Sequence, residues 1–158
     1  MPIRIALLLA LLSLGSSGAG ATKIDQPVDS LGPYKLGTPY DEMKSLAGFK
    51  LDEKRTDPKQ DIVAGKIIDK RILGIPTIQR LIFKHGKLYR ISIIFGPPQP
   101  EWTEERVKGW LIQQGWPDPG AKAKLKDGEN YVWEFRANIA MILPADGGRW
   151  MASIMVND

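Results

Sequence analysis

Side-chain alternation constrains this chain more than any other feature. From Thr77 to Phe95, and again from Ala121 to Val156, apolar and polar residues exchange with a period near two, and glycine-containing turns divide the runs. That period belongs to strands with one face on a core. The short gaps between runs select hairpins and therefore antiparallel pairing. The expected fold class is α+β: an antiparallel sheet with two short helices packed on one face.

The helices announce themselves by their ends. Thr38 is placed to cap a first helix with Pro39 at its first position and Asp41 and Glu42 in its first turn. Tyr40, Met43 and Ala47 share one face of it, with Leu46 beside them. Gly48 suits a left-handed stop, with Phe49 folding back as its apolar partner. A second helix starts at Thr103, with Glu104 and Glu105 in its first turn and Trp102 placed to staple onto Val107. Val107, Trp110, Leu111 and Gln114 form its inner stripe. Gly115, Trp116 and Pro117 end it. Between the halves, Gly96-Pro97-Pro98-Gln99-Pro100 reads as a stiff linker. The organisation is then a polar lead-in over 22–34, a first helix-plus-strands module over 35–96, a linker over 97–101 and a second module over 102–158. Each helix is followed by about three strands, which allows a tandem pseudo-repeat of elements.

Within the first module, Ile62 to Leu73 reads as a strand with Gly65 as a bulge. Gly74-Ile75-Pro76 reads as a turn, leading into a hairpin around Lys84-His85-Gly86. A two-residue His85-Gly86 turn on its own would set Leu81 opposite Arg90 and split the apolar residues between faces. A three-residue loop gathers Leu81, Phe83, Tyr89, Ile91, Ile93 and Phe95 on one face, with Arg80 opposite Arg90. In the second module, Ala121, Ala123 and Leu125 alternate with Lys122, Lys124 and Lys126. Tyr131, Trp133, Phe135, then Ile139, Met141, Leu143, and finally Trp150, Ala152, Ile154 and Val156 are assigned to the core side.

The front of the chain is a secretory leader. Arg4 precedes an apolar run from Ile5 to Leu14, and small residues follow, with Ala19 and Ala21 spaced for signal peptidase. The apolar run is about half of the roughly 20 residues a bilayer core requires, which disfavours a retained anchor. Cleavage is expected between Ala21 and Thr22, which makes the mature protein periplasmic or secreted. The chain has no cysteine, so it can hold neither a disulfide framework nor a lipid-bearing cysteine after the leader. Its core must be apolar, and five Trp, four Tyr and four Phe supply the bulk. A net charge of +4 is too small to argue for nucleic acid.

Chemistry-bearing motifs are scarce, and no catalytic residue is assigned. His85 is the single histidine and falls at a hairpin tip, away from any triad or metal cluster. No metal ligand set and no cofactor is expected. Asp69, Glu129 and Glu134 leave open one alternative, a carboxylate hydrolase acting on cell-wall or glycan substrates. The tryptophans are explained by packing, and the three lysines by a solvated strand edge.

Some of these segments resemble a known family. Lys35-Leu36-Gly37-Thr38-Pro39-Tyr40-Asp41-Glu42-Met43 opens a short helix, Phe83-Lys84-His85-Gly86-Lys87-Leu88 makes a hairpin, and Gln113-Gln114-Gly115-Trp116-Pro117 ends a second helix. The pattern is similar to the β-lactamase-inhibitor-like fold, which small outer-membrane-assembly lipoproteins share in single-module form. The resemblance implies a sheet with helices on one face and protein binding on the other. The secreted inhibitors carry disulfides and the assembly modules a lipid anchor, and this chain has no cysteine for either.

The candidate binding surface is the outer face of the 77–95 hairpin: Ile78, Arg80, Ile82, Leu88, Arg90 and Ile94. Aliphatics rimmed by arginine suit a protein interface. Either a partner or the chain's own second half must cover them. If the second half does, the two arginines need acids, Asp69 being the nearest. The expected role is a monomeric, non-catalytic module that binds another envelope or secreted protein.

Overall fold

The computed structural model describes residues 23–24, 28–96 and 102–157. The leader, its cleavage point and the proline segment lie outside them. Strands are β1 (Lys23–Ile24), β2 (Ser30–Leu31), β3 (Tyr34–Lys35), β4 (Lys50–Leu51), β5 (Ile62–Ile72), β6 (Ile75–Lys84), β7 (Lys87–Phe95), β8 (Ala123–Leu125), β9 (Gly128–Asn130), β10 (Val132–Phe135), β11 (Asn138–Ala145) and β12 (Arg149–Val156). Helices are α1 (Tyr40–Met43) and α2 (Glu104–Gln113). Among the described residues, eight strands form one sheet in the order β1-β10-β11-β12-β7-β6-β5-β4, antiparallel except where β1 joins β10. The α+β architecture is as the alternation requires.

Both halves contribute to this sheet, and β7 pairs with β12 at their junction. One apolar cluster fills the inner face. It takes Met43 from α1, Val107, Trp110 and Leu111 from α2, and Leu81, Phe83, Ile91, Ile93, Phe95, Trp133, Ala140, Ile142, Ala152 and Ile154 from the strands. Phe95 lies 4.4 Å from Trp102 and 5.4 Å from Trp110, ring centre to ring centre, so aromatic packing joins α2 to the centre of the sheet. Tyr34 reaches into this core and donates to Gln79 Oε1, and burial pushes its phenol up to about 12.

Several local expectations are corrected. Thr38 does not cap α1; its hydroxyl donates to the Lys35 carbonyl at 2.8 Å, and Pro39 is the N-cap. The helix is a single turn, so Ala47 lies beyond it and is exposed. Gly48 is left-handed, and Phe49 does turn back onto the core. Gln114 is exposed rather than inward, whereas Thr103 caps α2 as read, accepting from the Arg106 N–H at 3.2 Å. Leu73-Gly74 forms the β5–β6 turn, with φ of 50° and 78°, and Ile75 and Pro76 belong to β6. The lead-in is not structureless. Lys23–Ile24 adds the parallel edge strand, and Asn138 Nδ2 donates to the Val28 carbonyl at 2.7 Å. Five strands, not three, follow α2.

The β11 assignment also inverts. Trp133 pairs with Ala140, so Ala140 and Ile142 face the main core. Ile139, Met141 and Leu143 point to the other side, where Met141 packs with Ala123 and Val132 in a second, smaller cluster under the β8–β9 hairpin.

Gly65 is a regular strand residue; the register shift of β5 lies between Ile68 and Lys70. Its missing side chain serves a close approach, because a Cβ there would overlap the Phe49 ring. We expect Gly65→Ala to lower the unfolding free energy by about 1–3 kcal/mol through overpacking, with part of the loss recovered when Phe49→Leu is added. Urea denaturation of the parent and the two variants checks this, and an unaltered Gly65→Ala midpoint would contradict it.

Candidate functional site

The 84–87 turn determines which side chains reach the outer face. His85 and Gly86 form a tight two-residue turn with φ of 51° and 70°, and Lys84 pairs with Lys87. The three-residue loop is therefore wrong. Yet Phe83 pairs with Leu88 while Ile82 pairs with Arg90, so Tyr89 is the extra, bulged residue of β7. The extra residue restores the inward row that a bare two-residue turn would lose. Leu81 faces Ile91, and Gln79 faces Ile93. Arg80 consequently lies opposite Ser92, not opposite Arg90.

Of the six residues predicted on the outer face, five are there. Ile78, Arg80 and Ile82 on β6 are half-buried, as is Arg90 on β7; Ile94 is buried. Leu88 is the exception. Because the bulge follows it, Leu88 pairs with Phe83 and is buried in the main core, where Tyr89 had been expected.

The registers place the outer residues in rows across the strands. One row is Lys50, Lys66, Arg80, Ser92, Ser153 and Met141. On one side of it run Ile68, Ile78, Ile94, Met151 and Leu143, and on the other Ala64, Ile82, Arg90, Met155 and Ile139. The β8–β9 hairpin covers this face over β10 and β11. The protein's second half therefore shields one end, while α1 and α2 both lie on the opposite side.

Lys50, Lys66 and Arg80 occupy directly opposite positions on three neighbouring strands. Like charges so placed repel. Arg90 sits diagonally from Arg80. Its Nε donates to Ser153 Oγ at 3.0 Å and to Ser92 Oγ at 3.2 Å, and the two hydroxyls are 3.0 Å apart. Among the described residues, neither Arg80 nor Arg90 has a carboxylate within ion-pair distance, and the Asp69 side chain lies outside what the structure describes. Asp52 is engaged by Arg55 at 3.1 Å. The Arg149 Nε donates to the Asp146 backbone carbonyl at 2.8 Å.

Both guanidinium groups feel this. Burial and the neighbouring Arg55 depress Arg80, and Asp52 and Asp146 offset only part of the effect. Burial, then repulsion from Arg80, pushes Arg90 down to about 10. An arginine does not lose its proton at physiological pH. The depression therefore measures how poorly the site solvates its own charge.

Two of the acids considered for hydrolysis stand far apart in the sheet. Asp69 lies on β5 and Glu134 on β10, five strand spacings apart, on the order of 24 Å. Glu129 is exposed on the β9 hairpin. The Glu105 carboxyl is moved from its ordinary value. It goes down, because Tyr131 donates to it and Lys108 pairs with it at 3.0 Å. A general acid needs a shift in the opposite direction. His85 is exposed at its turn and pairs with Asp61 at 2.7 Å. Lys122, read as a solvated edge, is ion-paired to the buried Glu104.

No protein-family model, curated protein or solved structure matches this chain. The site must therefore be read from its own chemistry. Among the described residues, no helix is long and apolar enough to cross a membrane.

An unpaired charge held in a partly dry place costs stability. Arg90→Met keeps the shaft and removes the charge, and Ser92 and Ser153 retain each other as partners. We expect this variant to unfold at higher urea than the parent, by on the order of 1 kcal/mol. Equal or lower stability would show that Arg90 is already satisfied within the fold.

Proposed function

We propose that this chain is a non-catalytic protein-binding module. It is exported by residues 1–21, works in the periplasm or outside the cell as a monomer, and grips its partner with the outer face of β5, β6, β7 and β12. The observation that carries this reading is the desolvated pair Arg80 and Arg90, with no carboxylate partner among the described residues, set beside the half-buried Ile78, Ile82 and Met151 on the face opposite the helices. A face evolved only to meet water would rarely keep aliphatics beside like charges. A partner supplying apolar contact and negative charge relieves both costs at once.

The strand order supports a tandem reading of the architecture. It runs outward from the β7–β12 junction as β7-β6-β5-β4 on one side and β12-β11-β10 on the other, each set preceded in the chain by one helix. We take this as a helix-plus-strands unit used twice, in line with the β-lactamase-inhibitor-like resemblance, in which the side away from the helices binds protein. The hydrolase alternative has no such support, since Asp69 and Glu134 lie five strand spacings apart and Glu129 is exposed on its hairpin.

A photo-crosslinking residue at Ile82 tests the proposal in producing cells. A discrete adduct is expected there, reduced at least several-fold by a second change, Ile78→Glu, and absent with the crosslinker at Lys124 on the β8–β9 hairpin. Indistinguishable adduct patterns from both positions, or no adduct at Ile82, would overturn the assignment of this face.

A further inference from the structure

The structure assigns a chemistry to the partner: we infer that the outer face receives the carboxylate of an acidic side chain on an extended protein segment, with apolar side chains two positions before and after it. This inference rests on the protein-binding reading above.

The charge argument comes first. Lys50, Lys66 and Arg80 stand side by side on β4, β5 and β6, and Arg90 adds a fourth cation on the neighbouring strand. None has an acidic partner among the described residues. The acids nearest Arg80, Asp52 and Asp146, sit beside Arg55 and Arg149, which add positive charge of their own. Four cations on one patch with no matching acid make an anion the complementary ligand.

Geometry then narrows the anion. Arg90 Nε is fixed by Ser92 and Ser153. Among the described residues its terminal nitrogens have no hydrogen-bond partner beyond these two hydroxyls on Nε. The guanidinium is therefore anchored through Nε with its terminal edge left for a two-pronged bond with a planar carboxylate.

Spacing selects the carrier. Along β6 the outward residues are Ile78, Arg80 and Ile82, so apolar positions stand on either side of the charge, about 7 Å away along the strand. An extended segment lying along β6 presents every second side chain with the same spacing. Apolar, acidic and apolar residues at alternate positions would meet Ile78, Arg80 and Ile82 in order, with Arg90 closing on the carboxylate from β7. A free polyanion offers the charge and no apolar flanks.

The test uses two capped pentapeptides, Ile-Thr-Glu-Thr-Ile and its Gln counterpart, titrated into the full chain and followed by NMR at arginine Nε–Hε and isoleucine methyl groups. The Glu peptide should move Arg80, Arg90, Ile78 and Ile82 saturably. The Gln peptide should bind about tenfold or more weakly, the size of one lost charge-assisted contact. Arg80→Gln with Arg90→Gln should abolish that preference, whereas Ile82→Asp should abolish both titrations. Equal binding of the two peptides would overturn the carboxylate and leave the protein-binding face intact. So would silence from both peptides while the Ile82 crosslink still forms. Inorganic phosphate or phosphatidylglycerol vesicles shifting the same resonances as strongly as the Glu peptide would overturn the choice of a protein carboxylate.

Discussion

A single bulged residue governs the chemistry of both sheet faces. The His85-Gly86 turn fixes where β6 meets β7, and strands leaving such a turn would carry Leu81 opposite Arg90 if nothing intervened. Tyr89 is the intervening residue. By adding one position to β7, it returns Ile91, Ile93 and Phe95 to the core and sends Arg90, Ser92 and Ile94 out. β7 is also the strand through which the two halves join. A slip here would misplace the centre of the core and the whole cationic row together.

The outer face is best understood as a compromise between stability and use. Its aliphatic rows resemble core, and its β10–β11 end is indeed buried by the β8–β9 hairpin around Met141. Toward β5 and β6 the cations begin, and Ile78, Arg80 and Ile82 are only half-buried. Arg90 is held in place by hydroxyl groups, which orient a guanidinium without neutralising it. Orientation without neutralisation is what a binding residue needs before its partner arrives.

Much of the fold was legible because the signals were local. Thr103 and the Gly115-Trp116 stop bounded α2, and the inward row Leu81, Phe83, Ile91, Ile93 and Phe95 could be sorted by parity alone. What failed depended on non-local facts. Leu88 could be placed only by locating the bulge, which one sequence does not reveal. The β11 inversion depended on the Trp133–Ala140 pairing, and Gly65 on the distant ring of Phe49. Five of the six residues fall on the outer face, Ile94 buried there, because the bulge and the expected longer loop share one parity. The lysines that extend the cationic row, Lys50 and Lys66, were missed because their alignment with Arg80 exists only across strands.

The sorting of side chains by that bulge can be measured directly, since the chain has no cysteine of its own. Single variants Ile78→Cys, Ile82→Cys, Leu81→Cys and Ile91→Cys would be exposed to a maleimide under native conditions and the labelling rates compared. Rapid labelling at positions 78 and 82, with positions 81 and 91 protected until unfolding, is the expected result. Fast labelling at 81 or 91, or protection of 78 and 82 equal to theirs, would contradict the account.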